Sequence, residues 1–390
     1  MKVLKQLLTA KVILFSLALT AALVLAVRTT KSYAQSKPQD ETQTTMRWEH
    51  NDNGERLRME SRGKAEFTED YTDIRSISEG GYVRIEEDRN GQSRRFELRR
   101  DASGQLQRTY YVNGEARALD QDGRTWLGKI VLNAVRQSAI DVDKRVETIL
   151  RQQGVKGVLA EITLISSDYA QSKYFQSLIK HGNLSTADLQ NVLREAARQI
   201  SSDYEQAQLL IGVAEQLSGK ESAAPAFFEA IGTIKSDYEH KRVLTAVLKK
   251  SNPGRDVLVR IAGSAASISS DYEKANVLKE LASVYLEDPA LRTVFFQTLN
   301  AISSDYEHRG VLSALLKKTK LTDEVLAGML ESATRISSDY EKATFLMEAS
   351  NAYTGDARLR TAFLKAVETI KSDYERGRVL SALLKNKQIG

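Results

Sequence analysis

The six-residue phrase Ile268-Ser269-Ser270-Asp271-Tyr272-Glu273 constrains this chain more than any other stretch, because it returns at a fixed interval. Ser-Asp-Tyr occurs seven times, with tyrosines at Tyr169, Tyr204, Tyr238, Tyr272, Tyr306, Tyr340 and Tyr374; after one step of 35 residues every step is 34. A period in this range belongs to stacked supersecondary units, none of which can bury its apolar faces alone. Residues 166–390 are therefore predicted to form an α-solenoid of helix hairpins.

Within each unit the phrase reads as a helix start. Ser202, Ser236, Ser270, Ser304, Ser338 and Ser372 stand at the N-cap, and Glu205, Glu239, Glu273, Glu307, Glu341 and Glu375 follow three residues later, the spacing of a capping box. The first copy has Ala170 in place of the glutamate. Behind the cap, Ala275, Leu278, Leu281 and Tyr285 recur at helical spacing, and Glu287-Asp288-Pro289 is expected to end that helix. A second helix carrying Leu291, Val294, Phe295, Leu299 and Ile302 leads into the next phrase. Alternate units resemble each other most: Phe227, Phe295 and Phe363 are 68 residues apart, which predicts two alternating core geometries with the aromatic filling the wider gap.

Residues 1–34 contain Lys2, Lys5, Lys11, Arg28 and Lys31, no acidic residue, and an apolar run from Val12 to Val27. This is the pattern of a signal peptide cleaved after Ser32-Tyr33-Ala34, or of an uncleaved N-terminal anchor; both place the remainder outside the cytoplasm. The whole chain carries 56 basic and 51 acidic residues, and five of the basic ones lie in this segment. The chain from residue 35 onward is formally neutral, which argues against nucleic acid as a partner. Cysteine is absent, so neither disulfides nor a thiolate metal site is available.

Residues 35–45 hold no apolar side chain and read as a flexible linker. From 46 to 122, runs such as Arg56–Glu60, Tyr82–Glu86, Phe96–Arg99 and Thr109–Val112 alternate apolar with charged residues. Asp52-Asn53-Gly54, Glu79-Gly80-Gly81, Arg89-Asn90-Gly91 and Val112-Asn113-Gly114 separate them as hairpin turns. An antiparallel meander with one wet face is predicted. Residues 123–165 read as a helical connector capping the solenoid, with Trp126, Leu127, Ile130, Val131 and Ala134 as the stripe that covers the sheet and Gly154 as a helix stop. The fold class is α+β, mostly α.

Chemistry is sparse. His50, His181, His240 and His308 lack metal-ligand spacing, so neither metal nor cofactor is expected. Carboxylates at equivalent positions of neighbouring units should stand about 10 Å or more apart, outside the roughly 5–9.5 Å of paired catalytic carboxylates; no catalytic residue is assigned. Ser218-Gly219-Lys220 lacks the upstream glycines of a phosphate loop. Two readings of the repeated tyrosines stand open: packing between units, or an exposed partner-binding strip of Tyr204, Tyr238, Tyr272, Tyr306 and Tyr340.

The unit length equals that of the tetratricopeptide repeat, although that family's Trp and Ala-x-x-x-Phe positions are missing. The phrase Ile268–Lys274 followed by Val277-Leu278 resembles tandem repeats of bacterial envelope proteins, some of which accompany BlaR-type membrane metallopeptidases. The resemblance implies a tetratricopeptide-like or HEAT-like solenoid in a sensing or scaffolding context. It carries over no catalytic residue, because the metallopeptidase's zinc motif is absent.

These readings lead to a monomeric, non-catalytic exported scaffold or sensor whose solenoid binds another envelope protein or a peptide. The alternatives are an envelope enzyme or regulatory subunit with a site at the sheet–solenoid junction near Arg124, Trp126 and Lys129, and a structural spacer.

Overall fold

A computed structural model of the protein describes residues 45–52, 54–217, 221–282, 288–318, 321–352 and 356–385. The expected export segment, nearly all of the linker, Ser218-Gly219-Lys220, Tyr285, Glu287 and the polar tail after Lys385 lie outside these residues.

The N-terminal part is an antiparallel sheet of six strands: β1 (Thr45–Asp52), β2 (Glu55–Arg62), β5 (Tyr82–Arg89), β6 (Gln92–Arg100), β7 (Leu106–Val112) and β8 (Glu115–Arg117), adjacent in that order. A separate two-stranded ribbon, β3 (Ala65–Phe67) and β4 (Ile74–Ile77), is inserted between β2 and β5. Asn90-Gly91 and Asn113-Gly114 turn their hairpins with positive φ at both residues, as two-residue turns that match the strand twist require. Glu79-Gly80-Gly81 instead joins strands of different sheets, so its glycines do not close a hairpin.

Register sorts the side chains. Met59, Ile85, Phe96 and Tyr110 are successive cross-strand partners and all buried. Helix α1 (Gln121–Ser138) covers that face: its Trp126, Leu127, Ile130, Val131 and Ala134 share one core with the sheet and with Phe67, Tyr71, Ile74 and Ile77 around the ribbon. On the other face Arg58, Glu86, Arg84, Glu97, Arg95 and Arg99 interlock as ion pairs. Such exposed pairs hold register more than they add stability.

A second core begins at α2 (Val142–Ile162) and runs unbroken to the last helix. Gly154 interrupts α2 with φ 66° and ψ −166°, a backbone region open essentially to glycine alone. The repeat phrases start α3 (Asp168–His181), α5 (Asp203–Val213), α7 (Asp237–Lys250), α9 (Asp271–Leu281), α11 (Asp305–Lys318), α13 (Asp339–Ala349) and α15 (Asp373–Lys385). Between them lie α4 (Thr186–Gln199), α6 (Ala224–Ile231), α8 (Arg255–Ala265), α10 (Pro289–Leu299), α12 (Asp323–Ala333) and α14 (Ala357–Glu368). Each phrase helix packs on the next phrase helix, and the intervening helices form a second layer. Asp288 and Pro289 start α10 rather than end α9: the Asp288 carboxylate accepts from Leu291 N at 2.9 Å, with proline in the first turn where its missing N–H is harmless.

The 68-residue alternation resides in the second layer. Helices α4 and α6, α8 and α10, and α12 and α14 lie close together, whereas α6 and α8, and α10 and α12, lie further apart. Phe227, Phe295 and Phe363 are buried on α6, α10 and α14. Helices α6 and α10 each stand between one close and one looser neighbour. Phe296 projects toward Gly328 of α12, where a Cβ would meet its ring at 2.7 Å, so glycine is what admits the ring at that looser boundary.

Candidate functional site: a tyrosine row on an aspartate ladder

The phrase serine accepts a hydrogen bond from the backbone of the residue three on. Ser202, Ser236, Ser270, Ser304, Ser338 and Ser372 do so from Glu205, Glu239, Glu273, Glu307, Glu341 and Glu375 at 3.3–3.4 Å. From Ser236 onward the expected return bond from the glutamate is replaced, because the serine N–H is taken by an aspartate of the preceding unit, while before Ser202 the Asp168 carboxylate accepts from Ser201 N at 3.1 Å. Asp203 holds Ser236 N at 2.8 Å, Asp237 holds Ser270 N at 2.7 Å, Asp271 holds Ser304 N at 2.8 Å, Asp305 holds Ser338 N at 2.7 Å and Asp339 holds Ser372 N at 2.8 Å. The same carboxylates also accept the N–H one residue earlier, from Lys235, Ser269, Ser303, Ser337 and Lys371. Backbone N–H groups of Ser372 and Lys371 hold the Asp339 carboxyl below the usual range.

At the start of the solenoid Gln137 of α1 takes the ladder's place, its Oε1 accepting from Ser166 N at 3.0 Å and Ser167 N at 3.1 Å. A neutral amide thus closes the first unit with the bonds that a carboxylate makes between later ones.

Released from capping, the glutamates meet cations. Lys241 pairs with Glu273 at 3.2 Å, Lys279 with Glu307 at 2.8 Å and Arg309 with Glu341 at 2.5 Å, each across a unit boundary. Glu239 and Glu375 pair within their own helices with Arg242 and Arg378. Burial pushes the Glu205 carboxyl up, with Lys173 opposing.

The tyrosines stand exposed beside this network, in contact with its cations. Tyr204 is 43% exposed, Tyr238 54%, Tyr272 59%, Tyr306 61% and Tyr340 58%, whereas the aromatic residues of the solenoid core are sealed. Packing between units therefore does not explain the repeated tyrosine. Lys241 and Arg309 lie 4.7 and 5.1 Å from the rings of Tyr238 and Tyr306 in cation–π contact. Arg242 reaches two rings, Tyr204 and Tyr238, and Arg378 reaches Tyr340 and Tyr374.

No protein-family model, curated protein or solved structure matches the chain.

His240 and His308 tie helices together: both are buried and bonded at 2.8 Å to Ser264 and Ser332 of the adjoining second-layer helix. Burial pulls the His308 ring down to about 4. The same position is Gln206, bonded to Thr233, and Lys342, bonded to Thr369, so these side chains tie the two helices of a unit. His181 faces Asp143 and Glu147. Among the described residues no cluster suited to a metal occurs.

At the junction of sheet and solenoid lies a cleft of about 530 Å³ lined by Asp70, Tyr71, Arg145, Gln152, Gly157 and Glu161, among others. Burial would raise the Glu161 carboxyl, yet hydrogen bonds from Arg136 and Arg145 hold it below its usual range. Burial, and then the Asp141 charge, raise the Tyr71 phenol, which donates to Asp141 at 3.2 Å. Arg124, Trp126 and Lys129 are elsewhere: Trp126 is in the sheet core donating to Glu87 at 2.7 Å, and Arg124 and Lys129 are exposed on α1. Sequence spacing pointed to Trp126 correctly as a covering residue, but nothing local marks Tyr71, Arg145 and Glu161, which meet only through the fold.

Proposed function

We propose that this protein is an exported, non-catalytic scaffold or sensor whose solenoid docks a partner protein or peptide of the cell envelope along the tyrosine row. One observation carries the reading: the same large aromatic side chain stands exposed at the same position of five successive units, whereas Tyr174, Phe175, Phe227, Phe295, Phe345 and Phe363 of the solenoid are buried. Exposed, regularly placed tyrosines combine contact area with low entropic cost on binding. The basic, apolar segment 1–34 supports export, and among the described residues no helix is long and apolar enough to cross a membrane. In-cell photo-crosslinking from Tyr272 and Tyr306 tests the docking surface: a discrete second protein is expected, and links confined to the chain itself would end the reading.

The junction cleft favours a second reading, an envelope enzyme or regulatory subunit acting there, because it gathers Tyr71, Arg145 and Glu161 with two shifted titratable groups. Those groups already satisfy one another, which weighs against a free acid or base. Chemical-shift changes confined to Thr148, Gln152 and Gly157 on screening envelope metabolites would favour it.

A further inference from the structure

We propose that the tyrosine row carries one carboxylate-binding pocket, between α9 and α11, in which an aspartate or glutamate side chain of the docked partner seats and fixes the partner's position along the solenoid. This rests on the reading of the row as a docking strip and adds where on it the partner is held, and by what chemistry.

The unit at α11 departs from its equivalents. Arg242 of α7 and Arg378 of α15 stand 68 residues to either side of Gly310. Each arginine pairs with the phrase glutamate of its own helix, Glu239 at 2.6 Å and Glu375 at 2.8 Å. Glycine has no cation to offer Glu307, and the charge comes instead from the preceding helix: Lys279 of α9 reaches Glu307 at 2.8 Å. The positions equivalent to Lys279 are the uncharged Ile211 and Met347. A Cβ at Gly310 would meet Cε and Nζ of Lys279 at 3.3 Å, so the lysine side chain passes directly over the glycine. The cation has thus moved across the unit boundary, and a pocket of about 260 Å³ opens beside Gly310.

The lining suits an anion. Tyr306, Gly310, Ser313 and Lys317 recur at steps of four, three and four residues on one face of α11, and with Arg309 and Lys279 they line the pocket. Three cations line it and, among the described residues, no carboxylate does. Two of the cations are already matched, Lys279 by Glu307 and Arg309 by Glu341. Lys317 is exposed and has no ion pair among the described residues. The excess is one positive charge, which a carboxylate balances and a phosphate dianion would overshoot. Ser313 adds an unmet donor: it is 5% exposed, and its hydroxyl has no hydrogen-bond partner among the described residues. Buried helical serines commonly bond back to the carbonyl four residues earlier, as Ser251 does to Val247 at 2.8 Å. A carboxylate accepts from a hydroxyl and an ammonium alike and would satisfy both. The volume lies below the roughly 300–1,000 Å³ of small-molecule sites, which fits one side chain of a larger partner. Arg309 lies 5.1 Å from the Tyr306 ring centre, so the partner enters beside that ring and does not stack on the face the guanidinium covers.

The test is NMR titration of the full chain with N-acetylglutamate, beside N-acetylglutamine and inorganic phosphate. N-acetylglutamate alone is expected to shift the Gly310 and Ser313 amides saturably. Lys317→Gln, at an exposed position, is expected to weaken that binding roughly five-fold. Gly310→Arg, which installs the residue found at Arg242 and Arg378, is expected to abolish it and to cut the yield of photo-crosslinks from Tyr272 to a partner. Both variants should keep the melting temperature, since an added Cβ at Gly310 meets only the flexible end of Lys279. No saturable shift from N-acetylglutamate would overturn the proposal, and crosslinks from Tyr272 would then leave the docking strip standing without it. Equal or tighter binding of phosphate or of N-acetylglutamine would overturn the carboxylate assignment. Carboxylate binding with crosslinks undiminished in Gly310→Arg would overturn the anchoring role. Absence of crosslinks in the unsubstituted chain would remove the strip, and the partner's side chain with it.

Discussion

Asp305→Ala tests the ladder most directly. The Asp305 carboxylate accepts Ser337 N at 2.8 Å on one oxygen and Ser338 N at 2.7 Å on the other, both from the next unit. Hydrogen bonds to a charged group contribute about 1.5–3 kcal/mol each; partial exposure of the site lets water replace some of that, so a loss of about 2–4 kcal/mol is expected. Because solenoid stability is close to a sum of unit and neighbour contributions, the loss should fall on the boundary between α11 and α13. Urea unfolding of the full chain gives the magnitude, and amide exchange at Ser337 and Ser338 gives the place. Asp305→Asn keeps one acceptor and should cost about half as much. Asp373 is the internal control: its side chain is 95% exposed beside Arg376, so Asp373→Ala should leave the urea midpoint unchanged. Equal costs for Asp305→Ala and Asp373→Ala would refute the ladder and reduce the aspartates to ordinary first-turn charges.

Tyr272→Ala should cost less than about 1 kcal/mol and Phe295→Ala about 3–5 kcal/mol in the same unfolding assay, since the first ring is exposed and the second sealed. His308, held down to about 4 by burial, should make the solenoid less stable as pH falls from about 6.5 to about 4: the unfolded chain binds the proton first, so stability rises with pH across that window and is flat above it. His308→Gln, which installs the residue found at the equivalent Gln206, should flatten this slope in thermal melts at stepped pH. Gly154→Ala should destabilise by about 1–3 kcal/mol, because the backbone there has φ 66° and ψ −166°; an unchanged melting temperature would show that the kink relaxes freely.

The repeat, the helix starts and the sheet's wet and buried faces were all legible in the chain. They arise from local rules: a serine three residues before a glutamate, apolar residues every third or fourth position, alternation along strands, Asn-Gly at turns. The ladder was not legible, because a capping box and an inter-unit carboxylate bridge demand the same local letters. Only the partner of each serine N–H tells them apart, and that partner sits 33 residues away. The tyrosines show the same limit, since an aromatic residue in the first turn of a helix suits a core or a surface equally well by sequence. The junction was harder still: Tyr71, Arg145 and Glu161 come from a loop and from both halves of a kinked helix.

By itself the sequence determined that this protein is a short meander succeeded by stacked helix hairpins, because period and patterning are one-dimensional properties of the chain. Tertiary structure alone decided which way the repeated side chains face. Stacking places one unit's aspartate against the next unit's backbone, turns the glutamates toward neighbouring cations and leaves the tyrosines in solvent, and each of those outcomes depends on a neighbour that the local sequence does not contain.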